Sequence, residues 1–153
     1  MTALFTLLPE AVQTVSEGSK EAILRRLAGL FSDVYALDRD AVLTKITQRE
    51  DLGSTGFGRG FAIPHARVST LTRPVAAILK LNAPVDFDAA DGMPVDLVFG
   101  LLSPEGAGAA HLHALAAISR MMRDERMHDA LIQAPGPEAV YSLLSDVIDR
   151  DAA

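Results

Sequence analysis

The stretch Gly53 to Arg67, G-S-T-G-F-G-R-G-F-A-I-P-H-A-R, restricts the backbone more tightly than any other part of the chain. Pro64 has a fixed φ and no N–H to give a sheet. Ile63, placed before it, is pushed towards extended conformations. Phe61-Ala62-Ile63 therefore reads as a short buried strand that stops at Pro64. His65 is presented at the strand end, just past a loop holding four of the eleven glycines. Loops on rigid supports are where binding and catalytic groups concentrate.

The chemistry open to His65 is narrow. An imidazole with an unperturbed pKa of about 6.5 is mostly neutral at pH 7 and can act as nucleophile or base. The chain has no cysteine to compete with it. The glycines bring backbone N–H groups close together, and Ser54 and Thr55 add hydroxyls, an arrangement that suits an anion. The glycine spacing is neither G-x-x-x-x-G-K-[ST] nor a G-x-G-x-x-G that opens a helix after a strand, so a plain tight turn is the competing reading. For His65 alone, a structural histidine competes with a reactive one.

Length and composition set the frame. The 153 residues predict one domain, 1–153, able to bury roughly 70% of its unfolded surface. Hydrophobic residues make up 49% and charged residues 22%, as in an ordinary soluble globular protein. A net charge of −6 gives no electrostatic footprint for nucleic acid. The absence of cysteine excludes disulfides and thiolate metal sites, and no cofactor is expected. Met1 to Glu10 lacks a basic region and a sufficient apolar run for a signal peptide, and no run of about 18 apolar residues exists. The expected location is the cytoplasm, with no membrane insertion.

Along the chain, residues 1–18 form a lead-in with little pattern. Ser19 can cap a helix carrying Ile23, Leu27, Leu30, Phe31 and Val34 at helical spacing. Asp38 can cap a second helix that runs to about Glu50 and delivers Arg49 to the edge of the glycine loop. An arginine that merely complements the helix dipole is the bland reading of Arg49. Val75 to Leu81 predicts a strand, Asn82-Ala-Pro84 a turn, and Val85 to Phe87 a short strand. Val95 to Leu102 predicts another strand bounded by turn signals. Helices follow over about Ala109 to Arg123, about Glu125 to Ala134, and beyond Pro137. The whole reads as an α/β (α+β) fold: one small sheet among helices.

The helix from Ala109 contains His111-Leu-His113. On a strand an H-x-H pair can share a metal, but on a helix the two side chains lie about 200° apart and cannot chelate one ion. His111, Leu115, Ile118 and Met122 form an inward stripe; His113, Ala117, Arg120 and Asp124 form the opposing polar one. His111 on that apolar stripe reads as either a satisfied core residue or a functional one. His128, among charged neighbours, reads as a surface residue.

Taken together, these motifs carry a resemblance. Thr47-Gln-Arg49-Glu50, Gly53-Ser-Thr-Gly56, Ala62-Ile-Pro-His65, Phe87-Asp-Ala, Pro94-Val-Asp-Leu and His111-Leu-His113 occur in one order over nearly the whole chain. The sequence resembles the type-2 enzyme IIA domains of the bacterial phosphoenolpyruvate-dependent phosphotransferase system, with the nitrogen-related branch nearest. The resemblance implies a small mixed sheet sandwiched between helices. It also implies that His65 accepts a phosphoryl group, as a tele-phosphohistidine, from an HPr-like phosphocarrier. Arg49 and His111 are then the flanking groups. Ala66 departs from the glycine usual after that histidine.

Residues and resemblance meet at one mechanism. Phosphoryl transfer asks for positioning and charge stabilisation. Neutral His65 attacks in line while its other ring nitrogen keeps a proton on an unnamed acceptor. Arg49 offers a planar fork, Ser54 and Thr55 offer phosphate-binding donors, and His111 stands near a helix start. The expected function is regulation of target proteins by phosphorylation state. The alternatives are a sugar-specific carrier that passes the group to an enzyme IIB, and an interaction domain that is never phosphorylated.

Overall fold

A computed structural model describes residues 4–152, the last four by backbone alone. Residues 1–3 and 153, the ends of the expected 1–153 domain, lie outside the described residues. The elements run β1 (Val12–Val15), α1 (Lys20–Tyr35), α2 (Arg39–Asp51), β2 (Gly56–Gly58), β3 (Phe61–Ala62), β4 (His65–Val68), β5 (Val75–Val85), β6 (Val95–Pro104), α3 (Ala109–Arg123), α4 (Glu125–Gln133) and α5 (Pro137–Ala152). The strand order is β1-β5-β6-β3-β2, with β4 also paired to β6. The pairs β1/β5, β3/β6 and β4/β6 are parallel, and β5/β6 and β2/β3 antiparallel, so the sheet is mixed.

Alternation along β5 and β6 explains the layers. Val75, Ala77 and Leu79 of β5, with Val98 and Leu102 of β6, pack under α1 and α2. Ala76 and Ile78, with Leu97, Phe99 and Leu101, pack under α3, α4 and α5. Successive side chains point to opposite faces, and both faces are covered, so the central strands read as unbroken apolar runs. Gly100 lets α1 come close: a Cβ there would stand 2.8 Å from Leu27. The expected sandwich of helices around a mixed sheet is the observed architecture.

The helix boundaries follow their caps. Ser19 accepts from the Ala22 N–H, and Asp38 from those of Asp40 and Ala41. Asp124 both ends α3 and caps α4.

Five local expectations need correction. The lead-in contains β1, which pairs in parallel with Ile78 to Leu81; four residues are too few to show a period. Asn82-Ala-Pro84 is no turn but lies within β5, where the register with β6 shifts between Lys80 and Val85, and β5 ends at Val85, so no separate strand runs from Val85 to Phe87. The glycine loop contains β2, joined to β3 through Arg59 and Gly60, both at positive φ, as a two-residue hairpin requires. His65 does not stand past the end of the pairing: β3 does stop before Pro64, but Pro64 only interrupts the ladder. It gives no N–H, but its carbonyl accepts from Leu101 N at 2.9 Å. The chain therefore resumes alongside β6 as β4, whose first residue is His65.

Candidate functional site

β4 positions the central histidine. His65 lies opposite Leu101, and Arg67 opposite Ser103. Residues 65 and 67 share one face of the strand, the face towards α3. Ala66 and Val68 point the other way into the α1/α2 core. The Ala66 methyl is thus a core group, turned away from the imidazole.

The interrupted ladder also orients the ring. His65 Nδ1 lies 2.7 Å from the Ile63 carbonyl oxygen, which can only accept. Nδ1 therefore carries the proton, and Nε2 carries the lone pair. Burial pushes the His65 pKa below its ordinary value. The Ile63 contact opposes this, Arg49 adds to it, and Glu50 works against it. The ring is neutral at neutral pH, with a defined tautomer and a nucleophilic Nε2.

Arg49 reaches this atom from the last turn of α2. Its Nε donates to His65 Nε2 at 3.2 Å and its Nη1 to the Gly53 carbonyl at 2.8 Å. The guanidinium thus fastens the glycine-loop backbone while covering the nucleophile's lone pair. The bland surface arginine is not what the fold contains.

From the other side comes His111, two residues past the uncapped start of α3. It is 5% exposed, and its ring centroid stands 5.6 Å from that of His65. Nδ1 lies 2.7 Å from the Ser103 hydroxyl. Burial, with help from Arg67 and His65, pulls its pKa down to about 4. His113 is exposed, as the helical phase predicts. Ala117 departs from the expected polar stripe: it is buried, its small side chain fitting against the sheet layer.

Ser54 and Thr55 line the same cleft but are engaged inward. Ser54 Oγ donates to the Phe87 carbonyl and accepts from Gly56 N. Thr55 donates both its N–H and its hydroxyl to the Glu50 carboxylate. Glu50 is itself buried and paired with Lys20 Nζ at 2.7 Å. The two hydroxyls build the wall of the site through the 86–90 segment and the end of α2.

The cleft encloses about 420 Å³ and is lined by Arg49, Phe57, Ile63, His65, Leu115 and Ser119 among others. Its chemical poles are Arg49 and His65; the remainder is mostly apolar. Phe57 is 45% exposed at the rim, stacked on Phe61 and covered by the Arg123 guanidinium at 5.0 Å. Among the described residues no cluster of three or more His, Asp or Glu side chains could hold a metal ion.

Sequence reasoning missed three members of the site. The Ile63 carbonyl is a backbone group that no side-chain pattern reveals. Arg67 and Ser103 gain their meaning from the β4/β6 register, with period-two spacing from His65 and Leu101 as the one available signal. His128, read as a surface residue, is half-buried instead. It meets Asp96 Oδ1 at 3.2 Å and the edge of Phe61, so it fastens α4 to the sheet beside the hairpin.

The family model described as "Phosphoenolpyruvate-dependent sugar phosphotransferase system, EIIA 2" matches residues 6–147. The nitrogen regulatory protein of Pseudomonas aeruginosa is 46% identical over 134 residues, 87% of each chain. The fructose-specific EIIA component of Haloferax volcanii is 32% identical over 152 residues, covering 97% of this chain and 99% of the other. The crystal structure of nitrogen regulatory protein IIA-Ntr from Neisseria meningitidis superposes with a TM-score of 0.84 at 33% identity. That match covers 90% of this chain and 95% of the other.

Proposed function

The chain belongs to the EIIA 2 family of the phosphoenolpyruvate-dependent sugar phosphotransferase system, and from that premise we propose that His65 Nε2 accepts a phosphoryl group from an HPr-like phosphocarrier. The observation that carries this is the hydrogen bond from His65 Nδ1 to the Ile63 carbonyl. It leaves Nε2 as the nucleophile and gives the Nδ1 proton a fixed partner.

In the transfer, the Nε2 lone pair attacks phosphorus in line. The bond from phosphorus to the carrier's imidazole breaks, and its electron pair returns to that nitrogen. His65 keeps the Nδ1 proton, and the positive charge its ring gains is stabilised by the Ile63 carbonyl. Arg49 turns its Nε–H from the nitrogen lone pair to a phosphoryl oxygen, where a planar fork is worth most. His111 supplies a neutral donor from near the start of α3, where the helix dipole also favours the anion. Ser54 and Thr55 support the phosphoryl site by holding its wall in place.

The biological reading is nitrogen-related regulation in the cytoplasm, with target proteins bound differently by the charged and uncharged forms. It is supported by similarity to the nitrogen regulatory proteins. Similarity to the fructose-specific component favours a second reading, delivery of the group to an enzyme IIB.

Incubation with phosphoenolpyruvate, enzyme I and the phosphocarrier tests the proposal. Intact mass should rise by about 80 Da, one phosphoryl group, in the wild type and not in His65→Ala. A wild type that gains nothing would leave the chain as a pure interaction domain. Adding sugar-specific IIB domains then separates the readings: retention of the group supports regulation, and rapid loss supports sugar delivery.

A further inference from the structure

Ser103 is fully buried on β6, opposite Arg67. Alternation sends its side chain to the face on which Leu97, Phe99 and Leu101 meet α3. There its hydroxyl meets His111 Nδ1 at 2.7 Å, and among the described residues this is the one hydrogen bond of that hydroxyl.

The direction of this bond follows from what each atom needs. A buried O–H must donate, because leaving its proton unpaired forfeits its bond to water. Nδ1 is the acceptor within reach. Burial, helped by Arg67 and His65 beside the ring, keeps His111 neutral, so one of its nitrogens is free to accept. Ser103 thus donates to Nδ1, and the His111 proton resides on Nε2. His65 has the opposite arrangement, its proton on Nδ1 and its lone pair on Nε2. Two rings 5.6 Å apart then present opposite chemistry, an acceptor on one and a donor on the other.

We propose that Ser103 is a positioning residue that fixes His111 as the Nε2–H tautomer, so that His111 donates to the phosphoryl group carried on His65 Nε2. The proposal rests on the phosphoacceptor reading of His65. Without the Ser103 hydroxyl, the His111 ring loses its anchor, exchanges tautomers and samples flipped orientations. Part of the population then offers a lone pair to the phosphoryl oxygens, a repulsive contact.

The test combines a spectroscopic measurement on the free protein with a transfer assay. In ¹⁵N spectra of the wild type at neutral pH, His111 should show an unprotonated, hydrogen-bonded Nδ1 and a protonated Nε2. Ser103→Ala should shift both nitrogens towards exchange-averaged values. Ser103→Cys, similar in size but a weaker donor, should fall between. Phosphorylation of His65 should slow by about three- to tenfold in Ser103→Ala, less than in His111→Ala, because the donor is misdirected rather than removed. In the His111→Ala background, Ser103→Ala should cause no further slowing.

A protonated His111 Nδ1 in the wild type overturns the proposal. So do unchanged ring shifts in Ser103→Ala, or shifted tautomers with an unchanged transfer rate. The ring spectra are independent of phosphorylation. A wild type that never accepts phosphoryl therefore defeats the reading of His65, while the spectra still judge the tautomer claim.

Discussion

Arg49 is the residue whose structure most changes its meaning. Its place in the last turn of a helix left open a charge that merely complements the dipole, and the resemblance alone implied a group flanking His65. In the fold it bonds both the reactive nitrogen and the Gly53 carbonyl. Arg49→Lys keeps the charge but has no planar fork with which to hold both partners. Stopped-flow measurement should show slower transfer to His65, and thermal melts should show a loss of about 0.5–1.5 kcal/mol, one hydrogen bond's worth. Equal rates in both proteins would remove Arg49 from the site. His65 was legible because a proline and four glycines isolate it in the sequence. Its acceptor was not, because Ile63 contributes a carbonyl, and every residue has one. Ser103 was equally silent, since a serine near a strand end announces nothing until its pairing partner is known.

Apart from the buried Ala117, the helix α3 was legible, because fifteen residues carry several turns of periodicity and settle which side faces in. Its phase makes a prediction that sets the two histidines apart. His111→Ala should slow phosphorylation or shorten the phosphohistidine lifetime, and lower the melting temperature by emptying a buried position. His113→Ala should leave both near wild type. Rates and melting temperatures measured on the two variants decide it; a larger transfer defect in His113→Ala would contradict the observed phase. Short strands were less legible. β2, β3 and β4 have two to four residues each; β3 and β4 pair with β6, whose partner residues lie 36 positions further on, and β2 pairs with β3. Pro64 was correctly read as interrupting a ladder. That β6 could carry one strand on each side of the interruption is a tertiary fact, and propensity does not contain it.

At the scale of the whole molecule, histidines impose opposite pH dependences on stability. His65 and His111 have lowered pKa values, to about 4 for His111. The unfolded chain therefore binds more protons as pH falls below about 6.5, and stability drops from there towards about pH 4. His128 is raised, chiefly by its hydrogen bond to Asp96. Its contribution is fully present below about pH 6.5 and is lost as pH rises through its higher folded-state value. Melting temperatures across pH 5 to 8 should thus fall on both sides, and Asp96→Asn should flatten the alkaline limb alone. An unchanged alkaline slope in that variant would show that the pair does not link α4 to the sheet as described. The layered architecture was legible because β5 and β6 are apolar on both faces, which requires a covering layer on each side.

Phosphoryl acceptance by this chain rests on one atom, His65 Nε2. The most direct test is a ³¹P–¹⁵N spectrum of uniformly ¹⁵N-labelled protein after phosphorylation by phosphoenolpyruvate, enzyme I and the phosphocarrier. A one-bond phosphorus–nitrogen coupling to Nε2 of His65 is expected, with Nδ1 still protonated and held by the Ile63 carbonyl. Coupling to Nδ1 of His65, or to either nitrogen of another histidine, would contradict it.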